Sequence, residues 1–189
     1  MNGLPSAPPH WSIVRGVGAG LVAYLTVVAA QRGFELWLSR RNLARLRTRG
    51  AEEVGARHFP IFVALHAGYP VALVVEIWRG ARPGAAWPAW LALWLAAQAL
   101  RAAAMRALGE RWNTRIVVLP GEPPVTRGIY RWLAHPNYVA VAIEFVAAPL
   151  MFGAWRTAIA ATLANALAMA VRIPAEERAL RQAARGVRP

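Results

Sequence analysis

Three apolar stretches, residues 13–31, 60–78 and 87–105, are each close to the roughly 20 residues a helix needs to cross a bilayer. Inside hydrocarbon, backbone N–H and C=O groups find no water, so segments of this kind fold as helices. Two shorter apolar stretches follow at 138–152 and 155–172, separated by Gly153 and Ala154. They predict a tight helical hairpin. The expected fold is an all-α integral membrane protein with five transmembrane helices. Residues 1–105 hold three N-terminal spans and an Arg-rich loop, and residues 106–189 form a second, catalytic half.

The formal net charge of +13 suggests nucleic acid at first sight. The arginines instead gather in alternate loops. Arg32, Arg40, Arg41, Arg45, Arg47, Arg49 and Arg57 follow the first span. Arg106, Arg111, Arg115, Arg127 and Arg131 follow the third, and Arg178, Arg181, Arg185 and Arg188 lie in the tail. The opposite loops carry only Arg79, Arg82 and Arg156. By the positive-inside rule the Arg-rich side is cytoplasmic, with the N-terminus outside and the C-terminus inside. The charge then serves topology and lipid headgroups, and no nucleic-acid partner is expected. Val28-Ala29-Ala30 resembles a signal cleavage site, but no basic region precedes the first span, so cleavage is not expected.

There is no cysteine, so no disulfide or thiolate chemistry, and the four histidines at 10, 58, 66 and 135 are too scattered for a metal site. Ser6, Ser12 and Ser39 lie far from any candidate triad. The Gly16–Gly20 spacing predicts close helix contact. The segment 34–47 either extends the first span into the cytoplasm or lies at the interface, and Glu52 and Glu53 are expected in solvent. In the second span His66 and Tyr69 share a face toward the bundle, where they either bond between helices, with Pro70 making a kink, or contact a substrate; Glu76 is interfacial. Trp87, Trp90 and Trp94 form a packing stripe with an aromatic belt at its outer end. Arg101, three residues after Gln98, is expected to snorkel. The polar stretch 105–133 includes a short strand over 114–119 and is where a water-soluble cofactor would meet the protein.

The reactive region begins at His135-Pro136-Asn137-Tyr138. Pro136 suits the first helical turn, with His135 at the cap. Asn137, Val141 and Glu144 share one stripe, placing an acid inside an apolar run. A charge at that depth costs about 2.5–3.5 kcal/mol unless partnered. Asn165 and Arg172 share a face of the last helix, and Pro174 is expected to bend or end it before Glu176. Hairpin symmetry about residues 153–154 then sets His135 beside Arg172 and Glu176, and Glu144 beside Asn165. The second pair either locks the hairpin or reacts.

Gly128-Ile129-Tyr130-Arg131, His135-Pro136-Asn137-Tyr138, Glu144, Pro149-Leu150 and Arg172-Ile173-Pro174-Ala175-Glu176-Glu177 resemble the C-terminal half of isoprenylcysteine carboxyl methyltransferases. Leu108-Gly109, Trp112 and Val117-Val118-Leu119-Pro120-Gly121 strengthen the likeness to a bacterial branch acting on alkylresorcinols and alkylpyrones. The likeness covers about residues 105–180. It implies S-adenosyl-L-methionine (SAM) as methyl donor from the cytoplasm and a lipophilic acceptor from the bilayer. It implies a cofactor site of Tyr130, His135, Pro136, Asn137 and Tyr138, facing Glu176 and Glu177. Ala134 stands where the family often has Arg, a place that Arg131 or Arg172 would fill. The candidate catalytic set is Glu144, Arg131, Asn165 and Arg172: a phenol or enol acceptor holds its proton and calls for a base, which Glu144 in a dry pocket would supply. The alternatives are a prenylcysteine-type carboxylate acceptor, an NADPH-dependent membrane reductase, and a non-catalytic scaffold.

Overall fold

A computed structural model describes residues 10–56 and 59–186 of the chain. The leader at 1–9, Arg57, His58 and Arg188 lie outside them. The described residues form five α-helices: α1 (His10–Arg47), α2 (Phe59–Trp78), α3 (Trp87–Leu108), α4 (Pro136–Met151) and α5 (Trp155–Ala184). Of these, α2, α3 and α5 are long and apolar enough to cross a membrane. The 16-residue α4 is a shorter apolar helix. The 38 residues of α1 span roughly 57 Å at 1.5 Å per residue, so 34–47 does continue the first helix.

Two strands, β1 (Glu52–Val54) and β2 (Ile116–Val118), pair antiparallel with Glu53 opposite Val117. The β-branched stretch at 114–119 thus becomes the expected strand. Its partner strand falls in the loop expected in solvent, and Glu53 is held there by Arg115 and Arg47. Ile116 and Val118 pack on Ala179 and Ala183 of α5. That contact explains why α5 does not stop at Pro174. Pro174 sits within the helix, and burial of the following turns against the ribbon holds them helical.

The apolar core joins α1 to α4 around Tyr24, Tyr69, Leu73, Trp94 and Phe145. Tyr24 meets Trp94 and Phe152 edge-on, and its hydroxyl bonds that of Tyr69 at 2.7 Å. Tyr69 thus bonds between helices as expected, and α2 passes through Pro70 without interruption. Trp94 is core, whereas Trp87 faces outward. In the glycine run, Gly20 approaches Phe152, but Gly18 meets open space.

Glu76, near the end of α2, is buried against the start of α5. It accepts the backbone N–H groups of Arg156 (3.1 Å) and Thr157 (2.7 Å) and the Thr157 hydroxyl (2.6 Å). The first turn of α5 has no cap of its own, so an acid from α2 supplies the acceptors and the charge that a helix N-terminus favours. Glu76→Leu is expected to cost about 1–3 kcal/mol by stranding these donors. Denaturant unfolding in detergent measures it, and an unchanged midpoint would exclude the cap.

Candidate active site

His135 precedes α4 in a non-helical conformation, and Pro136 opens the helix. The His135 ring stacks on Tyr138 (centroids 5.3 Å, planes 11° apart). Tyr138 donates its hydroxyl proton to Glu176 and accepts from Arg172 Nε at 2.8 Å. Arg172 also donates to the Thr114 carbonyl (2.7 Å) and lies 4.7 Å over the Phe62 ring. One guanidinium therefore ties α5 to α4, α2 and the polar segment. His135 Nε2 is 3.4 Å from Glu177. The expected meeting of the His-Pro-Asn-Tyr entry with Arg172, Glu176 and Glu177 is present.

Tyr130 lies in a short 3-10 turn at 128–131, outside the membrane-spanning segments. Burial and the Glu176 carboxylate push its phenol up from the ordinary value, so Tyr130 stays a neutral donor. Arg131 is exposed and does not line the cavity described next.

A cavity of about 390 Å³ runs from this polar cluster into the bundle. Tyr130, His135, Asn137, Tyr138, Arg172 and Glu176 line one end; Phe62, Val63 and His66 of α2 line the apolar side. A smaller compartment of about 150 Å³ beneath the ribbon shares Tyr130, Ala134, His135 and Glu176. The Asn137 amide lines the cavity, and its buried Oδ1 has no hydrogen-bond partner.

Glu144 sits elsewhere than hairpin symmetry predicts. It accepts from Gln98 at 2.6 Å, from Arg32 at 3.0 Å and from Arg101. Arg32 also pairs with Glu35 at 2.7 Å, and Arg101 with Glu35 at 3.2 Å. The reason is packing: α4 lies most closely along α3, so its acid meets Gln98 and Arg101. Asn165 is buried, with Oδ1 unpartnered. Arg101 does not snorkel; its side chain is 3% exposed, because two carboxylates neutralise it where it stands. Two positive and two negative groups balance.

Sequence reasoning missed Arg32 and Glu35 as partners of this network, although the Gln98–Arg101 spacing pointed at it. It also missed a clasp between α1 and the polar segment. Ser39 donates to Asn113 Oδ1 (2.7 Å), and Asn42 donates to the Trp112 carbonyl (2.8 Å). These contacts fix the floor from which Thr114 reaches Arg172.

The chain is 33% identical over 159 residues to the uncharacterized protein YpbQ of Bacillus subtilis (strain 168), covering 84% of this chain and 95% of that protein. No solved structure matches it. The sequence profile of the isoprenylcysteine carboxyl methyltransferase family matches residues 90–182, a span that includes α4, nearly all of α5, and the whole of the polar cluster. Over that span, just under half of its length, which holds the entry motif, the hairpin and Glu176 of the cavity wall, the chain is similar to the isoprenylcysteine carboxyl methyltransferase (ICMT) family.

Proposed function

We propose that this protein is a membrane O-methyltransferase that moves a methyl group from SAM to an oxygen of a lipophilic acceptor. The observation that carries this reading is the single cavity that joins a polar, charged end to apolar walls. Val63 is both a wall residue and half exposed on the outer surface of α2. A water-soluble donor and a bilayer-soluble acceptor can therefore share one space. Its size lies within the range of small-molecule sites.

The residues present suit the donor. Its ammonium and ribose hydroxyls call for acceptors, which Glu176 and the unpartnered Asn137 Oδ1 supply on the cavity wall, with Glu177 beside His135. Its carboxylate calls for a guanidinium, which Arg115 and Arg172 supply at the cavity wall. Tyr130, His135 and Tyr138 complete the wall, with Pro136 buried at the start of α4. When bound, the donor supplies an electrophilic methyl on a sulfonium. The protein's part is alignment of the acceptor oxygen and exclusion of water, which together lower the barrier by several kcal/mol. In this reading the Arg-rich end faces the cytoplasm, α1 to α5 all enter the membrane, and Glu144 acts as a positioning residue for Arg32 and Arg101.

The acceptor class favoured is a phenol or enol carrying an alkyl tail, such as an alkylresorcinol or alkylpyrone. A carboxylate of the prenylcysteine type is the second reading, favoured by the guanidiniums of Arg32, Arg101, Arg115 and Arg172 along the wall. Calorimetric titration of purified protein with S-adenosylhomocysteine, with NADPH in parallel, tests the donor. The expected result is binding of the first alone. Binding of NADPH alone would make the protein a reductase, and binding of neither by folded protein would make it a scaffold.

Glu176→Ala is expected to weaken S-adenosylhomocysteine about 10- to 100-fold, the worth of a hydrogen bond to a charged group. The same titration reads it. An unchanged affinity would remove Glu176 from the cofactor wall.

A further inference from the structure

The imidazole of His66 meets the cavity in a defined orientation. Its Nδ1 lies 2.8 Å from the Phe62 carbonyl, one helical turn back on α2. A carbonyl oxygen only accepts, so Nδ1 carries the proton in the neutral ring and Nε2 carries the lone pair. No hydrogen bond reaches Nε2 among the described residues, and His66 lines the cavity. The ring rests against Phe145 with centroids 5.3 Å apart. Phe62 fixes its position along the cavity, since Arg172 lies over the Phe62 ring while the Phe62 carbonyl orients His66. Phe62 thus links the oriented imidazole to the Arg172 end of the cavity.

Glu144 offers no comparable lone pair to the cavity. Both its oxygens already accept, from Gln98 on one side and from Arg32 and Arg101 on the other, and it is absent from the cavity lining. His66 Nε2 is an open acceptor on the apolar wall, where the acceptor molecule lies in the reading above.

We infer that His66 is the general base of the reaction and that the acceptor therefore reaches the site with a proton on its reacting oxygen, as a phenol or enol does and a carboxylate does not. The inference rests on the methyltransferase reading for its chemistry but not for its binding test. In the step, the acceptor O–H bond breaks, and its proton moves to Nε2. The electron pair left on oxygen forms the new O–CH₃ bond. The pair of the broken C–S bond stays on sulfur, which becomes a neutral thioether. The imidazolium then loses its proton to water, so one proton is released per methyl transferred. Nδ1–H keeps its bond to Phe62 throughout, so the ring need not turn between cycles.

The charged and titratable groups around the ring come from every neighbouring helix: Arg32 and Glu35 on α1, Tyr69 on α2 itself, Arg101 on α3, Tyr138 and Glu144 on α4, and Arg172 and Glu176 on α5. His135 lines the same cavity at its polar end, beside Glu177.

The test uses full-length protein in detergent without any methyl donor. The probe is a 4-nitrophenol bearing a nonyl chain at its 2-position, whose anion absorbs in the visible. At a pH below its ionisation in detergent alone, wild-type protein is expected to bind it as the nitrophenolate. His66→Asn and His66→Gln are expected to bind it as the neutral phenol, with its ionisation moved to higher pH. Failure of the wild type to bind or ionise the probe overturns the proposal, as does equal ionisation by both variants. Retained binding of S-adenosylhomocysteine certifies that a variant is folded. Should the wild type bind that ligand but not ionise the probe, the methyltransferase reading stands and the base falls. Should it ionise the probe but bind no S-adenosylhomocysteine, the reverse holds. With a long-chain 5-alkylresorcinol and SAM, kcat of His66→Asn is expected to fall about 10²- to 10⁴-fold with KM little changed, and the acid limb of the pH–rate profile to vanish. Methylation of farnesylated N-acetylcysteine but not the resorcinol would overturn the acceptor class.

Discussion

Arg101→Leu is expected to destabilise the protein by about 3–5 kcal/mol, the usual consequence of removing one partner from a buried ion pair. Arg101 is almost wholly enclosed and touches both Glu35 and Glu144. Without it, two carboxylates share the half-exposed Arg32, with Gln31 and Gln98 as neutral donors. One negative charge is left unbalanced within the bundle. The decisive comparison is the double variant Arg101→Leu, Glu144→Leu. It restores balance, leaves the Arg32–Glu35 pair whole, and should recover most of the loss. Unfolding midpoints of the four proteins in a double-mutant cycle supply the measurement. Additive losses would mean that the two residues act separately and would dismantle the network.

Gly153→Ala is expected to cost on the order of 2–6 kcal/mol, combining left-handed backbone strain with overpacking. Gly153 has φ +75° at the turn between α4 and α5, and a Cβ there would stand 1.9 Å from the Arg82 carbonyl oxygen. That oxygen belongs to the α2–α3 connection, which must then retreat or force the hairpin open. Either movement shifts the register that brings Tyr138 to Arg172 and Glu176. The variant should therefore lose both stability and affinity for S-adenosylhomocysteine. A thermal melt and a titration together check it, and wild-type values in both would show that the turn adapts freely.

The helices were legible because hydropathy and length are properties of contiguous sequence. Residues 60–78 and 87–105 became α2 and α3 almost to the residue. The hairpin was legible for the same reason, and with it the approach of His135 and Tyr138 to Arg172, Glu176 and Glu177. Pro174 misled because local propensity disfavours proline within a helix, while burial of Ala179 and Ala183 under the ribbon outweighs it. Glu76 and Arg101 were legible only in part. Each looked like a charge near a membrane boundary, and each proves to have partners on helices distant in sequence: Thr157 for the first, Glu35 and Glu144 for the second. The Ser39 and Asn42 contacts carry no periodic signal at all, because their partners lie some 70 positions along the chain.

The network of Arg32, Glu35, Arg101 and Glu144 also sets an order on biogenesis. The chain is made from its N-terminus, so α1 is complete first, with Arg32 and Glu35 three residues apart and already neutralising one another. When α3 follows, Arg101 brings an unmatched positive charge, and about forty residues must still be synthesised before Glu144 arrives. During that interval α3 carries a burden the finished protein does not have. Glu35 is the acid then at hand to relieve it. α1 is thus the helix that supplies Arg101 with a partner until α4 is made.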